Sequence, residues 1–409
     1  MRQLLPKPYK LFNRIQNYEW GGKDAEAFIP ALIGEKPEPG LPYAELWIGA
    51  HPKAPSNIEL QDGLVPLDKI VEEFTIDCLG EYVGQKFSGK FPFLLKVLSA
   101  AQALSIQAHP DKKQAEKLHA LDPVNYPDDN HKPEIAIALN SLIAIAGFRP
   151  VEQIISNIRN LPEIAGLVGN IVFQNLLTNV NKREAEKSIQ RLYELIMREP
   201  DESERLSVCI SRINNRLNEK DTLSLEETQF LKQYKLYGSD VGLFSFFFFN
   251  IIELKSGEAI FTGAGVPHAY IKGDIIECMA NSDNVVRAGL TNKFKDVDAL
   301  LKILKYEFKE YEIINSEQKT DGFIYKTGAA EFEVTQFNKP AGFNSSLKSG
   351  NKPSVCLIIS GELEVRWQQQ GEGDSRRFLK GESFFVPACL SDYSISVDSS
   401  AEFFVVNIP

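Results

Sequence analysis

The 409-residue sequence is short of several features that would place it outside the ordinary globular range. Cysteine is scarce: the five residues at Cys78, Cys209, Cys278, Cys356 and Cys389 are an odd number without CxxC spacing. That argues against a disulfide framework and a thiolate metal knot, and leaves nitrogen and oxygen ligands for any metal. Histidine is equally scarce, with His51, His109, His119, His131 and His268 as the full set, so few imidazoles compete for a site. No stretch reaches the length of a membrane span. The longest apolar run, Val241 to Phe249 with four consecutive phenylalanines, reads as a doubly buried strand. The N-terminus, Met1 to Pro6, lacks a signal-peptide core, so a cytoplasmic protein without a membrane partner is expected. A basic excess is also missing. Against 45 Lys and Arg stand 55 Asp and Glu, a net charge of -10, which makes the surface a poor host for nucleic acid.

What is present fits a globular chain of two or three domains, with 43% apolar and 24% charged residues. Up to about residue 65, turn residues punctuate short extended runs such as Tyr18-Glu19-Trp20-Gly21 and Ala44-Glu45-Leu46-Trp47-Ile48-Gly49. Short helices are expected over 66–85. Phe91 to Leu98 then reads as a buried strand carrying a lone Lys96, which either snorkels to water or meets an anion in a cavity. Asp111 caps a helix to Ala120. From about Pro150 to Leu236, apolar residues recur at spacings of three and four among charges, a helical block. Strand character returns near Gly242 and persists almost to Pro409, with one helical interruption near Val297 to Leu304.

The all-β tail carries a weak internal repeat. Gly257-Glu258-Ala259-Ile260-Phe261-Thr262-Gly263-Ala264 aligns without gaps on Gly381-Glu382-Ser383-Phe384-Phe385-Val386-Pro387-Ala388, and His268 falls opposite Asp392. The arrangement resembles two cupin (double-stranded β-helix) modules, only one of which keeps its histidine. The expected fold is mainly β with a helical insert: a cupin-like domain over 1–149 and 241–310, a helical domain over 150–240, and a C-terminal cupin-like domain over 311–409 without metal.

Chemistry gathers around Ser105-Ile106-Gln107-Ala108-His109-Pro110-Asp111. Residues two apart share a strand face, so Gln107 and His109 present an amide and an imidazole side by side, with Ser105 on the same face. Asn130-His131-Lys132-Pro133-Glu134 adds a carboxylate, and Gly265-Val266-Pro267-His268 adds a second imidazole at a tight turn. Gln107, His109, Glu134 and His268 together suit Zn²⁺, with Fe²⁺ and Mn²⁺ open by chemistry alone. Singly, Glu134 reads equally as a strand-edge carboxylate and His268 as a turn histidine packed on Tyr270. A single carboxylate leaves such a site net positive and receptive to an oxygen-rich anion. Lys96, Lys132, Arg287 and Ser105 supply the charges and hydroxyl that a phosphate needs, although each lysine also fits an exposed surface. From Ile276 to Thr291 carboxylates and an arginine alternate with apolar residues before a glycine turn, which suits a β-ribbon whose polar side lines a pocket and equally an ion-paired sheet face.

Those three strings, together with Asn281-Ser282-Asp283-Asn284-Val285-Val286-Arg287-Ala288-Gly289-Leu290-Thr291 and the two N-terminal motifs, closely resemble the signatures of the type I mannose-6-phosphate isomerase family, in the family's order and over nearly the whole chain. The resemblance implies an enzyme with one zinc ion per chain that interconverts mannose 6-phosphate and fructose 6-phosphate through a cis-enediol. It implies Gln107, His109, Glu134 and His268 as ligands, Arg287 as catalytic arginine, and Trp20, Lys96, Ser105, Lys132, Glu277 and Asp283 around the sugar phosphate. The proton carrier stays open among His131, Lys132, Asp283, Glu277 and a metal-bound water; His131 is singled out because its unperturbed pKa lies near neutrality. The expected partner is a small sugar phosphate and the expected state a monomer, with a homodimer as the alternative. Two rival functions are a mononuclear metal cupin oxygenase, which leaves the cations without a task, and a non-catalytic sugar-phosphate binder.

Overall fold

The computed structural model describes residues 3–409 apart from 62, 179–180, 320 and 370. It is mainly β-sheet with some helices. Among the described residues no helix is long and apolar enough to cross a membrane.

The strand Phe93–Ala100 is buried along its whole length. It is covered on one edge by Glu45–Gly49 and on the other by His268–Ala280. In such a central strand both faces must be apolar, which its sequence FLLKVLSA satisfies everywhere but at the lysine. Register places Lys96 between Trp47 on one neighbour and Glu277 on the other. The same ten-stranded sheet includes Glu134–Ala138, which pairs with Ala259–Thr262 and with His268–Ala280. Ile106–Ala108 is wedged between the start of His268–Ala280 and Val286–Gly289.

The expected ribbon at 276–291 is not a ribbon. Its strands, His268–Ala280 and Val286–Gly289, pair with different partners rather than with each other. The reason lies in the connecting loop. Ser282 Oγ donates to Asp128 Oδ1 at 2.7 Å, the Asp283 N–H donates to Asp128 Oδ2 at 2.7 Å, and Asn284 Nδ2 donates to the Asp128 carbonyl at 2.6 Å. Satisfying the buried polar groups of Ser282 and Asn284 on Asp128 carries the chain across the sheet instead of back along it.

The helical block follows the periodicity read from sequence. Helices span Val151–Arg159, Ile164–Val168, Asn170–Thr178, Lys182–Met197, Glu204–Asn218 and Leu225–Tyr237. Asn181, Ser203 and Ser224 cap the last three by accepting backbone N–H bonds. Asp111 likewise closes a capping box on Lys112–Leu121.

The phenylalanine run departs from expectation. Val241–Phe244 forms a 3₁₀ turn and Ser245–Phe248 a helical turn, and the strand begins only at Phe249. A short apolar run cannot by itself distinguish helix from strand. Here Asp240 Oδ1 accepts from the N–H groups of Gly242 and Leu290, pinning the turn to the end of Val286–Gly289. Phe247 packs on Phe230 and Phe248 on Tyr193 of the helical block, and Phe249 on Phe148 at the end of the strand Leu142–Phe148, at centroid distances of 5.7, 5.3 and 5.0 Å.

The C-terminal strands form a seven-stranded and a four-stranded sheet. Alternate residues of the larger sheet serve two cores: Ile358, Phe384 and Phe403 meet Val365 and Phe378 of the smaller sheet, while Leu357, Phe385 and Phe404 meet Leu95 and Ile276 of the first sheet. Tyr9–Leu11, expected in the first module, instead pairs with Ser383–Val386 in this C-terminal sheet. The repeat has a structural counterpart. Ala259–Thr262 and Ser383–Val386 start and stop at aligned positions, and His268 and Asp392 each open the following strand.

Candidate metal centre

His109, Glu134 and His268 come from three separate segments, yet one ligand atom from each lies within 4.8 Å of the others, and all three residues are buried. His268 Nε2 is 3.1 Å from Glu134 Oε2, and His109 Nε2 is 3.3 Å from Glu134 Oε1. Each ring is oriented from behind: His109 Nδ1 is 2.8 Å from the Asn284 carbonyl and His268 Nδ1 is 3.0 Å from the Val266 carbonyl. A carbonyl only accepts, so both Nδ1 atoms carry the proton and both Nε2 lone pairs converge. His109 Nε2 is buried and has no hydrogen-bond partner. An orphaned imidazole lone pair beside a carboxylate and a second lone pair is what a divalent cation completes.

The charges point the same way. Burial alone would raise the Glu134 carboxyl, but Lys132, with Nζ 3.1 Å from Oε1, and then His109 hold it well below the ordinary 4.5. Burial lowers the His109 pKa, so its ring stays neutral and able to ligate. Gln107 sits opposite both His268 and Arg287 in register. Its Nε2 is 3.5 Å from His268 Nε2, and the same amide turned over would aim its oxygen at the cluster.

In front of this cluster opens a cavity of about 450 Å³. Of the residues singled out from sequence, it is lined by Trp20, Lys96, Ser105, Gln107, Lys132, Glu134, Glu277, Asp283 and Arg287. His109 and His268, both fully buried, form the layer behind. His131 is not brought to it: its Nε2 is 2.8 Å from Glu331 Oε1, a residue of the C-terminal part. His131 thus stands outside the cavity lining, away from the place expected of a proton carrier.

The cavity's cations are not equivalent. Lys96 Nζ donates to Glu277 Oε2 at 2.9 Å, lies 3.7 Å from Glu45 Oε2, and sits 5.3 Å above the Trp47 ring. Burial would lower its pKa, but the two carboxylates more than offset this and keep it charged. Lys132 faces Glu134. Arg287 is different. Among the described residues it makes no salt bridge, and its Nε is buried without a partner, so its charge is available. Burial lowers its pKa, but from so high a starting value that it stays protonated near neutrality.

Sequence reasoning missed Glu45, Trp47, Tyr270 and Lys293, which also line the cavity. The first two stood in an N-terminal motif that had been noted, but only register reveals that they flank Lys96. Burial raises the Glu45 carboxyl despite Lys96, and Trp47 Nε1 donates to Glu45 Oε2.

Residues 9–151 match the family described as phosphomannose isomerase type I, catalytic domain. The chain is 38% identical over 391 residues to mannose-6-phosphate isomerase 2 of Arabidopsis thaliana, covering 91% of this chain and 87% of that protein. A crystal structure of a single-residue variant of phosphomannose isomerase from Salmonella typhimurium superposes with a TM-score of 0.86 at 30% identity, over 98% of this chain and 99% of that one. A mannose 6-phosphate isomerase structure bound with zinc and yttrium gives a TM-score of 0.84 at 30% identity, with the same coverage.

Proposed function

The chain belongs to the type I mannose-6-phosphate isomerase family, and from that premise we propose how its cavity interconverts D-mannose 6-phosphate and D-fructose 6-phosphate. The observation that carries the reading is the buried His109–Glu134–His268 cluster at the back of a cavity whose cations include an unpaired arginine. Gln107, His109, Glu134 and His268 hold zinc. Zinc, when bound, supplies a Lewis acid beside the sugar oxygens that gain negative charge.

The reaction removes the proton on C2 of the aldose and places that electron pair in a C1–C2 double bond as the carbonyl oxygen O1 is protonated; the O2 hydroxyl then loses its proton to become the C2 carbonyl, and the double-bond pair takes up a proton at C1. A base and a stable home for charge on oxygen are needed. Arg287, uncompensated by any carboxylate, stabilises the enediolate oxygen. Lys293, which also lines the cavity and has no carboxylate partner among the described residues, joins the hydroxyls of Ser105 and Thr291 in receiving the phosphate. Lys96 and Lys132 already face carboxylates; their part is to hold Glu277 and Glu134 in place, with Glu277 and Trp20 against the sugar.

Asp283 is the proton carrier in this reading. Glu45 and Glu277 share the buried Lys96, and Glu134 is engaged by the two imidazoles, whereas the side chain of Asp283 is 23% exposed and lines open cavity space. Asp283→Asn is expected to lower kcat by about 100- to 10,000-fold with zinc content unchanged. Turnover within a few-fold of the unsubstituted enzyme would remove Asp283 from this role.

The domain reading goes with this function: a cupin-like catalytic module over 1–149 and 241–310, a helical insert over 150–240 and a cupin-like module over 311–409, with Tyr9–Leu11 contributed to the last. The aligned strands at Ala259 and Ser383 support it. A coupled assay on mannose 6-phosphate tests the function as a whole. Chelation is expected to abolish turnover and zinc to restore it. Oxygen uptake with iron, or binding of the sugar phosphate without turnover, would overturn the isomerase reading in favour of an oxygenase or a binding protein.

A further inference from the structure

His51 follows the strand Glu45–Gly49 and is 2% exposed. It ligates nothing in the metal cluster. Its ring stands edge-on to Trp47, with centroids 4.8 Å apart. The Lys53 backbone N–H lies 3.3 Å from Nδ1 and donates to it. Nδ1 is therefore the unprotonated nitrogen, and a neutral ring carries its proton on Nε2. Nε2 lies 3.6 Å from Asp283 Oδ1. That is about half an ångström beyond a closed hydrogen bond, as contacts in unliganded catalytic sites commonly are. Burial, ahead of the opposing pull of Asp283, lowers the ring's pKa to about 4, so the neutral donor form prevails near pH 7.

The other attachments of Asp283 are unequal in strength. Its backbone N–H donates to Asp128 Oδ2 at 2.7 Å, which places the main chain but leaves the carboxylate free to rotate. Lys53 Nζ is 2.9 Å from Oδ2, but the lysine side chain is 61% exposed and its hold is screened by water. The buried imidazole is the unscreened contact.

We propose that His51 is a positioning residue for the isomerisation, its Nε2–H holding the Asp283 carboxylate turned into the cavity. The inference rests on Asp283 as the proton carrier. Misplacement of a reacting group by an ångström costs as much as 100-fold. His51→Leu, which fills the space without a donor, is expected to lose about 10- to 100-fold in kcat with KM little changed, in line with the loss of other outer-sphere orienting groups. His51→Gln, whose amide N–H reaches where Nε2 stood, is expected to recover most of that loss. His51→Leu is expected to add no further loss to Asp283→Asn.

Nitrogen-15 spectra of the zinc-loaded, unsubstituted enzyme at pH 7 supply the second readout. The Nε2–H tautomer is expected, with its proton resonance shifted by Asp283→Asn. A Nδ1–H tautomer overturns the proposal whether or not the variants fold. Wild-type kcat in His51→Leu beside an inactive Asp283→Asn overturns the role of His51 alone. Full turnover in Asp283→Asn overturns the proton assignment, and the kinetic role of His51 with it.

Discussion

Glu134→Ala is expected to release zinc and abolish turnover together, while also destabilising the fold. Glu134 is 1% exposed, and it is the carboxylate that Lys132 and both imidazoles face. Its removal leaves the 8%-exposed Lys132 as a buried cation without a counter-charge, which costs about 3–5 kcal/mol when one partner of a buried pair is deleted. Glu134→Gln keeps the volume but not the charge, and is expected to lose zinc with a smaller fall in thermal midpoint. The sign of the pH dependence follows from the same contacts. Lys132 and His109 depress the folded pKa of Glu134, so its contribution to stability is full above the ordinary value of 4.5 and is lost only as pH falls through the lower folded value. Zinc per chain, measured after gel filtration, and a thermal melt check both points. A Glu134→Ala protein that retains one zinc and normal turnover sinks the ligand assignment.

Arg287→Ala is the complementary case: a loss of rate without a loss of structure. Arg287 is half-buried, makes no ion pair among the described residues, and contributes to its sheet through backbone pairing with Gln107. Truncation therefore orphans no buried carboxylate. Deleting one preorganised group that stabilises developing charge commonly costs about 100- to 1,000-fold in kcat. That loss is expected here, with zinc content and melting temperature near those of the parent. Arg287→Lys is expected to recover only part of it, because a point charge on a flexible stem does not reproduce the planar fork. Steady-state kinetics separate the possibilities. A rise in KM with kcat unchanged would move Arg287 from the reacting oxygen to simple substrate anchoring.

The two variants differ because the site is built in two layers. The inner layer, His109, Glu134 and His268, is fixed by backbone carbonyls of Asn284 and Val266. The outer layer, Asp283 and Arg287, rides on the segment that Asp128 holds from one side and Asp240 from the other. One loop thus serves both, since the Asn284 carbonyl orients His109 while its neighbour Asp283 lines the cavity.

The helical block's part is clearer from this arrangement. Tyr237, at the end of its last helix, lines the cavity and donates to the Ala103 carbonyl at 2.9 Å, just before the Ser105–His109 stretch. Gly242 and Gly289 pass so closely that a Cβ on Gly289 would lie 2.4 Å from the Gly242 Cα. The helices are therefore anchored directly beneath the arginine-bearing strand.

Local chemistry was legible in the chain itself. The Asp111 cap, the three-and-four spacing of the helices and the turn before His268 depend on neighbours within a few residues, and each has the expected counterpart in the structure. The donor set also restricted the metal to nitrogen and oxygen ligands before any contact was known. Other features depended on which strand lies beside which. Only register could set Lys96 between Trp47 and Glu277, bring His51 to Asp283, turn His131 toward Glu331, and pass Tyr9–Leu11 to the far sheet. Periodicity tells which face of a strand is apolar, but not which partner covers it. For the phenylalanine run even the element type was undetermined, because a residue buried on every side carries no period. The sequence by itself determined the ligand chemistry and the local elements; tertiary structure decided which charges are paired, and so which ones are left free for the substrate.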